Sequence, residues 1–176
     1  MNEQKFIEQL KLITPTAEDL KRKGLPEELV DIVLEASACQ PKTVEFPSIL
    51  TQESVLRLLE AYDCTSLRIG LVRLTDCVSF VNFYQIGSVD ADPLVLDKVT
   101  RKIEVRDYTN PSYVIWLCAH NGDNFLNALL ICANAFFQIV LDMENNNEIF
   151  RAKNAKLAAQ KAGGNDCLLF YEMLFS

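Results

Sequence analysis

The chain carries one histidine, His120, and a cysteine, Cys118, two residues before it. A Cys–His pair does nucleophilic chemistry when the imidazole takes the thiol proton and the thiolate sits in a positive, partly exposed setting. On a β-strand, residues two apart share a face, with side chains about 7 Å apart along the backbone. Asp123 or Asn124 could supply the orienting third group. Against that chemistry, Cys118 follows Val114-Ile115-Trp116-Leu117, and an apolar setting keeps a thiol protonated. The residues favour a histidine at a strand end over a dyad. A single histidine also rules out two-histidine mechanisms and most metalloenzymes. The glycines are too sparse for a GxxxxGK or GxGxxG phosphate loop, and neither GxSxG nor the HxE and PCxxC of a zinc deaminase occurs. The expectation is no catalytic residue, no cofactor and no metal.

Six cysteines (Cys39, Cys64, Cys77, Cys118, Cys132, Cys167) include no CxxC, and none lies near enough to His120 and a second cysteine in sequence to read as a zinc site. Several sit in apolar runs, such as Cys132 in Leu129-Leu130-Ile131-Cys132-Ala133. They read as reduced thiols packed as small hydrophobes in a cytosolic protein.

Two acidic groups have spacings worth weighing. Asp90-Ala91-Asp92-Pro93, with Asp97 beyond, is an oxygen-rich loop of the kind that holds Ca²⁺ or Mg²⁺. It lacks the regular further ligands and closing glutamate of an EF-hand, and Leu94-Val95-Leu96 interrupts it, so a solvated turn between strands is the plainer reading. Glu28, Asp31 and Glu35, at offsets of three and seven, form an acidic stripe along one face of a helix. Such a face could steer a basic partner, although any amphipathic helix has a charged solvent side.

The composition is that of an ordinary soluble globular protein and argues against a nucleic-acid or membrane partner. Of 176 residues, 49% are hydrophobic and 23% charged, with a formal net charge of -7 and a pI near 4.8. That charge disfavours nonspecific grip on nucleic acid or anionic lipid. Residues 1–66 hold 12 acidic and 7 basic residues, so most of the excess lies in the N-terminal part. The late helix bearing Arg151, Lys153, Lys156 and Lys161 is basic, most simply for solubility. The N-terminus, with acids mixed into a helical pattern, lacks the form of a secretory signal. The most apolar window, Phe125 to Met143, is long enough to cross a bilayer, but Asn127, Asn134 and Gln138 line up as a polar stripe. It reads as a core helix. The sequence-based expectation is a cytoplasmic protein with no membrane span and no nucleic-acid partner.

The elements that must position these residues follow from periodicity and punctuation. Helices are predicted over Glu3–Ile13, from a Thr16 cap to Gly24, from Pro26 to about Ala38, and from Thr51 with Val55, Leu56 and Leu59 inward and Glu53 and Glu60 outward. A short extended piece is expected from Thr43 to Phe46. From Ser66 the period changes to about five antiparallel strands, including Cys77–Ile86, Leu94–Asp97, Ile103–Arg106 and Tyr113–Ala119, with a hairpin turn at Lys98–Arg101. A helix capped by Asp123 then runs to about Met143. Another spans Glu148–Ala162 and stops at Gly163-Gly164, and Asp166–Phe175 is a last apolar helix or strand. The predicted class is α+β, one domain over residues 1–176, with a core at about 20–143 and a helical extension at 148–175.

Three stretches in that order resemble the SUKH superfamily, which includes Smi/Knr-type cell-wall regulators and bacterial immunity proteins. Gly24-Leu25-Pro26-Glu27-Glu28-Leu29 is similar to its Gly-Leu-Pro helix start. Tyr84-Gln85-Ile86-Gly87, Asp92-Pro93-Leu94-Val95-Leu96-Asp97, Thr100 and Ile103 resemble its acidic-loop hairpin. The strand Tyr113–Ala119 and the helix opening Asn124-Phe125-Leu126 resemble its closing strand and helix. The match spans roughly residues 20–140. Arg101 stands where the hairpin glycine is usual, and the tryptophan often seen near the first motif is missing, Trp116 being the only one.

The resemblance implies an α+β binding module without catalytic residues, often one that neutralises a toxin inside the producing cell. The partner it implies is a protein, commonly a basic nuclease or another nucleic-acid-modifying toxin domain. The alternative is a Smi/Knr-like regulatory or scaffolding module with a cellular protein partner. A third, enzymatic reading would rest on Cys118 and His120. The partner-binding candidates are Glu28, Asp31, Glu35, Asp90 and Asp92; the sequence does not indicate an oligomeric state.

Overall fold

A computed structural model of the chain describes residues 1–43 and 52–176. Its elements are α1 (Glu3–Ile13), α2 (Ala17–Arg22), α3 (Glu27–Glu35), β1 (Gln40–Pro41), α4 (Ser54–Ala61), β2 (Tyr62–Asp63), β3 (Arg68–Ile69), β4 (Val72–Ser79), β5 (Phe83–Val89), β6 (Asp92–Asp97), β7 (Ile103–Arg106), β8 (Val114–Ala119), α5 (Gly122–Leu141), α6 (Glu148–Ala162) and α7 (Leu168–Leu174). The class is α+β, as expected. The predicted extended piece falls mostly outside the described residues, as does Thr51; the helix predicted from there begins, among described residues, at Ser54.

Local chemistry explains most boundaries. Thr16 and Asp19 form a reciprocal capping box at the start of α2, satisfying amide donors that the first turn leaves open. Gly24, at φ 86°, takes the left-handed turn that ends α2, and Pro26 then stands at the N-cap of α3. Asn121, rather than the predicted Asp123, caps α5 by accepting the Asn124 amide at 2.8 Å. Asp123 sits in the first turn and pairs with the N-terminal ammonium at 3.1 Å.

Six strands, not five, make the main sheet, in the order β3-β4-β5-β6-β7-β8 with every neighbour antiparallel. The stretch Cys77–Ile86, predicted as one strand, is broken between β4 and β5 by Phe80-Val81-Asn82, closed by the Phe80 amide on the Phe83 carbonyl. Gly87 is required by close approach: a Cβ there would lie 2.1 Å from the Arg73 carbonyl oxygen on β4. A separate two-residue ladder pairs β1 with β2.

Helices α4, α5, α6 and α7 pack on the sheet, and α1 packs on α4 and α5. The core joins Phe6 and Leu10 of α1, Leu58 of α4, Leu94, Leu96, Ile103 and Val105 of the sheet, Phe125 and Leu129 of α5, and Phe170 and Tyr171 near the C-terminus. Fully burying one such side chain contributes about 1.5–3 kcal/mol. Both chain ends therefore share one core with the sheet. Among the described residues, only α5 is long and apolar enough to cross a membrane; its Phe125, Leu126, Ala128, Leu129 and Cys132 are buried against the rest of the fold.

Candidate functional site: an acidic protein interface

Helix α3 stands apart from this core. Of its residues only Val30 is buried, and its main packing partner is α2. Glu28, Asp31 and Glu35 are all exposed, and none makes a salt bridge among the described residues. Glu27 differs: its carboxylate meets Lys21 of α2 at 2.8 Å, which holds it below the ordinary glutamate range. Leu29 is 48% and Ile32 59% exposed. At about 100° per residue, Ile32 lies roughly 40° from Glu28 around the helix, with Leu29 beyond it. The outward side of α3 is an acidic stripe edged by aliphatic residues. That pairing suits a protein surface whose bases meet the acids while its apolar groups cover the aliphatics.

Asp90 and Asp92 belong to a second surface. Asp90 takes φ 54° in the β5–β6 turn, with its amide on the Leu71 carbonyl, and remains exposed. Asp92 opens β6 and accepts the Tyr108 amide at 3.0 Å. No hydrogen bond or ion pair joins this turn to α3 among the described residues, so the five predicted residues form two surfaces. The cation-loop reading is not realised in this geometry. The Asp97 carboxylate is committed to the Val99 and Thr100 amides through Oδ1 and to Arg106 Nη2 at 2.7 Å through Oδ2.

Beside Asp92 runs an apolar groove of about 240 Å³, lined by Phe80, Phe83, Pro93, Tyr108 and Pro111 among others. Phe80 and Phe83 stack with centroids 4.8 Å apart, and the Arg106 guanidinium lies 5.1 Å from the Phe83 ring. Arg106 also bonds Glu104 Oε2 at 2.8 Å. Burial alone would raise the Asp97 carboxyl. The Thr100 amide, Arg106 and the Val99 amide outweigh it and hold Asp97 below the ordinary aspartate range. This cluster anchors the sheet's outer surface; its aromatics were not singled out from the sequence, where they read as strand residues.

His120 is not paired with Cys118. Its Nε2 lies 2.7 Å from Asp166 Oδ2, while the Cys118 thiol is fully buried and pushed well above its ordinary range by desolvation. The ring instead shares a corner with Asp166 and Cys167, whose donor atoms all lie within 4.8 Å of one another. Burial and the Asp166 carboxylate push the Cys167 thiol up to about 12, and the His120 contact lowers Asp166. With His120 and Asp166 46 positions apart, no local motif could have announced this corner.

No family model matches the chain, and no curated protein or solved structure matches it either.

Proposed function

We propose that this chain is a noncatalytic, immunity-type binding protein of the SUKH kind. In this reading it neutralises a basic toxin domain, nuclease-like or nucleic-acid-modifying, by direct association in the cytoplasm of the producing cell. The observation that carries the reading is α3: an exposed helix on which Glu28, Asp31 and Glu35, without salt bridges among the described residues, border Leu29 and Ile32. Exposed carboxylates raise the encounter rate with a basic partner, and the neighbouring aliphatics supply area to bury once contact is made. The Gly24-Leu25-Pro26 stretch that supports the resemblance sits at the entry to this helix. Asp90, Asp92 and the adjacent aromatic groove are the second surface offered to the same partner.

The test is co-purification with the product of the adjacent gene, followed by rescue of cells expressing that product. Binding and rescue are expected. Glu28→Lys, Asp31→Lys and Glu35→Lys together should slow association about tenfold at low salt and flatten its salt dependence. Unchanged association by the triple variant would remove α3 from the interface. A chain that neither binds nor rescues would remove the immunity reading.

A further inference from the structure

The β1–β2 ladder pairs Gln40 with Asp63 and Pro41 with Tyr62. One further step in that register sets Cys39 opposite Cys64. In an antiparallel pair, facing residues alternate between hydrogen-bonded and non-hydrogen-bonded positions. The Lys42 amide donates to the Ala61 carbonyl, and Pro41 has no amide to give. The alternation therefore places Cys39 and Cys64 at a non-hydrogen-bonded position, where Cα atoms approach to about 4.5 Å and side chains are closest. That separation lies within the range a disulfide spans. Both residues are buried, at 8% and 2% exposure, and both are free thiols. The two thiols touch: contact with Cys64, then burial, pushes the Cys39 thiol up.

We propose that Cys39 and Cys64 form a redox-active dithiol site that takes a small disulfide oxidant of the glutathione class and closes to an intramolecular disulfide. The balance is complete. One cysteine thiolate attacks a sulfur of glutathione disulfide, breaking its S–S bond and releasing one glutathione. The second cysteine gives its proton to solvent, attacks the mixed disulfide and releases the other glutathione. Two protein thiols are oxidised, and one glutathione disulfide is reduced to two glutathiones.

Access comes through a cleft of about 380 Å³ between α1, the start of α2 and the α3–β1 connection, with Cys39, Lys11, Thr14 and Thr16 in its lining. Cys39 therefore meets the oxidant first. Because Cys39 holds its proton, exchange is slow at neutral pH and accelerates as pH rises. Of the other cysteines, Cys77 is exposed, Cys118 and Cys132 are sealed in the core, and Cys167 lies in the corner with His120 and Asp166. The bond would tie the segment just after α3 to the segment after β2, whether or not a partner binds α3.

The test uses the full-length Cys77→Ser chain, which removes the exposed thiol that would form mixed disulfides. It is held folded in glutathione buffers of rising oxidised fraction, then alkylated under denaturing conditions and mapped by mass spectrometry. The expected product is one linkage, Cys39 to Cys64, with loss of two alkylatable thiols and a rise in the unfolding midpoint of about 10 °C. Adding Cys39→Ser should abolish both the linkage and the shift, and Cys64→Ser should do the same independently. Retention of all thiols in fully oxidised buffer would overturn the proposal. So would a stable glutathione adduct at Cys39 without ring closure, or a linkage that forms only in denaturant.

Discussion

Asp97 accepts the Val99 and Thr100 amides and takes the Arg106 guanidinium, whereas Glu28, Asp31 and Glu35 face solvent along α3. Both regions looked like acidic clusters in sequence. Their carboxylates are used in different ways. In the hairpins a carboxylate satisfies donors that the turn leaves open, so its energy is spent on architecture. On α3 the Glu28, Asp31 and Glu35 carboxylates are exposed and make no salt bridge among the described residues, so their charge is available to another molecule. The contrast separates acids that hold the fold from acids that can recognise something.

The sharpest way to break the contrast is to remove one acid from each region. Asp97→Ala should cost roughly 2 kcal/mol, because it takes one carboxylate from a largely enclosed Arg106, which keeps Glu104, and frees the hairpin amides. Urea denaturation of Asp97→Ala beside Asp31→Ala measures it. Equal losses in the two variants would show that enclosure does not distinguish these acids.

Acid sharpens the same point. Asp97 is depressed in the folded state, so its stabilisation is fully present above the unfolded value of about 3.9 and is lost as pH falls through the folded one. Asp97→Asn should therefore flatten the decline of stability below about pH 4. A decline as steep as that of the parent chain would place the acid sensitivity in other groups.

Arg101 tests what the hairpin gains from side chains rather than backbone. It adopts φ 65°, where glycine is easier by about 1 kcal/mol, yet its guanidinium reaches Glu53 with Nε 2.8 Å from Oε1. The other Glu53 oxygen accepts the Gly122 amide, so this carboxylate joins the β6–β7 turn to the start of α5. Contrary to its predicted outward position, the Glu53 side chain is only 14% exposed. Arg101→Gly should be neutral or destabilising in the parent chain but stabilising by about 1 kcal/mol in a Glu53→Ala background. A double-mutant cycle by thermal unfolding reads the coupling. The same sign in both backgrounds would mean that the pair does not explain why arginine stands at this turn.

These cases also show what the sequence made legible. The capping box at Thr16, α6 with its limits at Glu148 and Ala162, and the Lys98–Arg101 turn rest on residues within a few positions of one another. Local rules suffice there. The β4–β5 hairpin was missed because Phe80-Val81-Asn82 contains neither glycine nor proline; its closure depends on the Phe80–Phe83 stack and on Lys98 reaching the Phe80 carbonyl from a distant turn. The His120–Asp166–Cys167 corner and the Cys39–Cys64 juxtaposition arise from packing across 46 residues and from strand register, which no nearby residue reveals. Of the candidate site, the stripe on α3 was readable because helical spacing alone puts Glu28, Asp31 and Glu35 together. The exposure of Leu29 beside them was not readable, because an amphipathic pattern predicts that such a residue packs inward.

The smallest expected effect isolates the acids of α3 from its stability. Glu28 lies in the first turn, where the helix dipole favours a negative charge, and Glu35 lies at the last position, where it disfavours one. Glu28→Lys alone should lose a few tenths of a kcal/mol, and Glu35→Lys alone should gain a similar amount. Asp31 sits between the ends and should contribute little. With all three reversed, the unfolding midpoint should stay within about 2 °C of the parent, even though the change moves the formal net charge from -7 to about -1. Chemical denaturation with an unchanged slope is the check. A large destabilisation would mean that these carboxylates hold α3 in place as Asp97 holds its hairpin. The division between structural and recognising acids would then fail at the residues on which it depends.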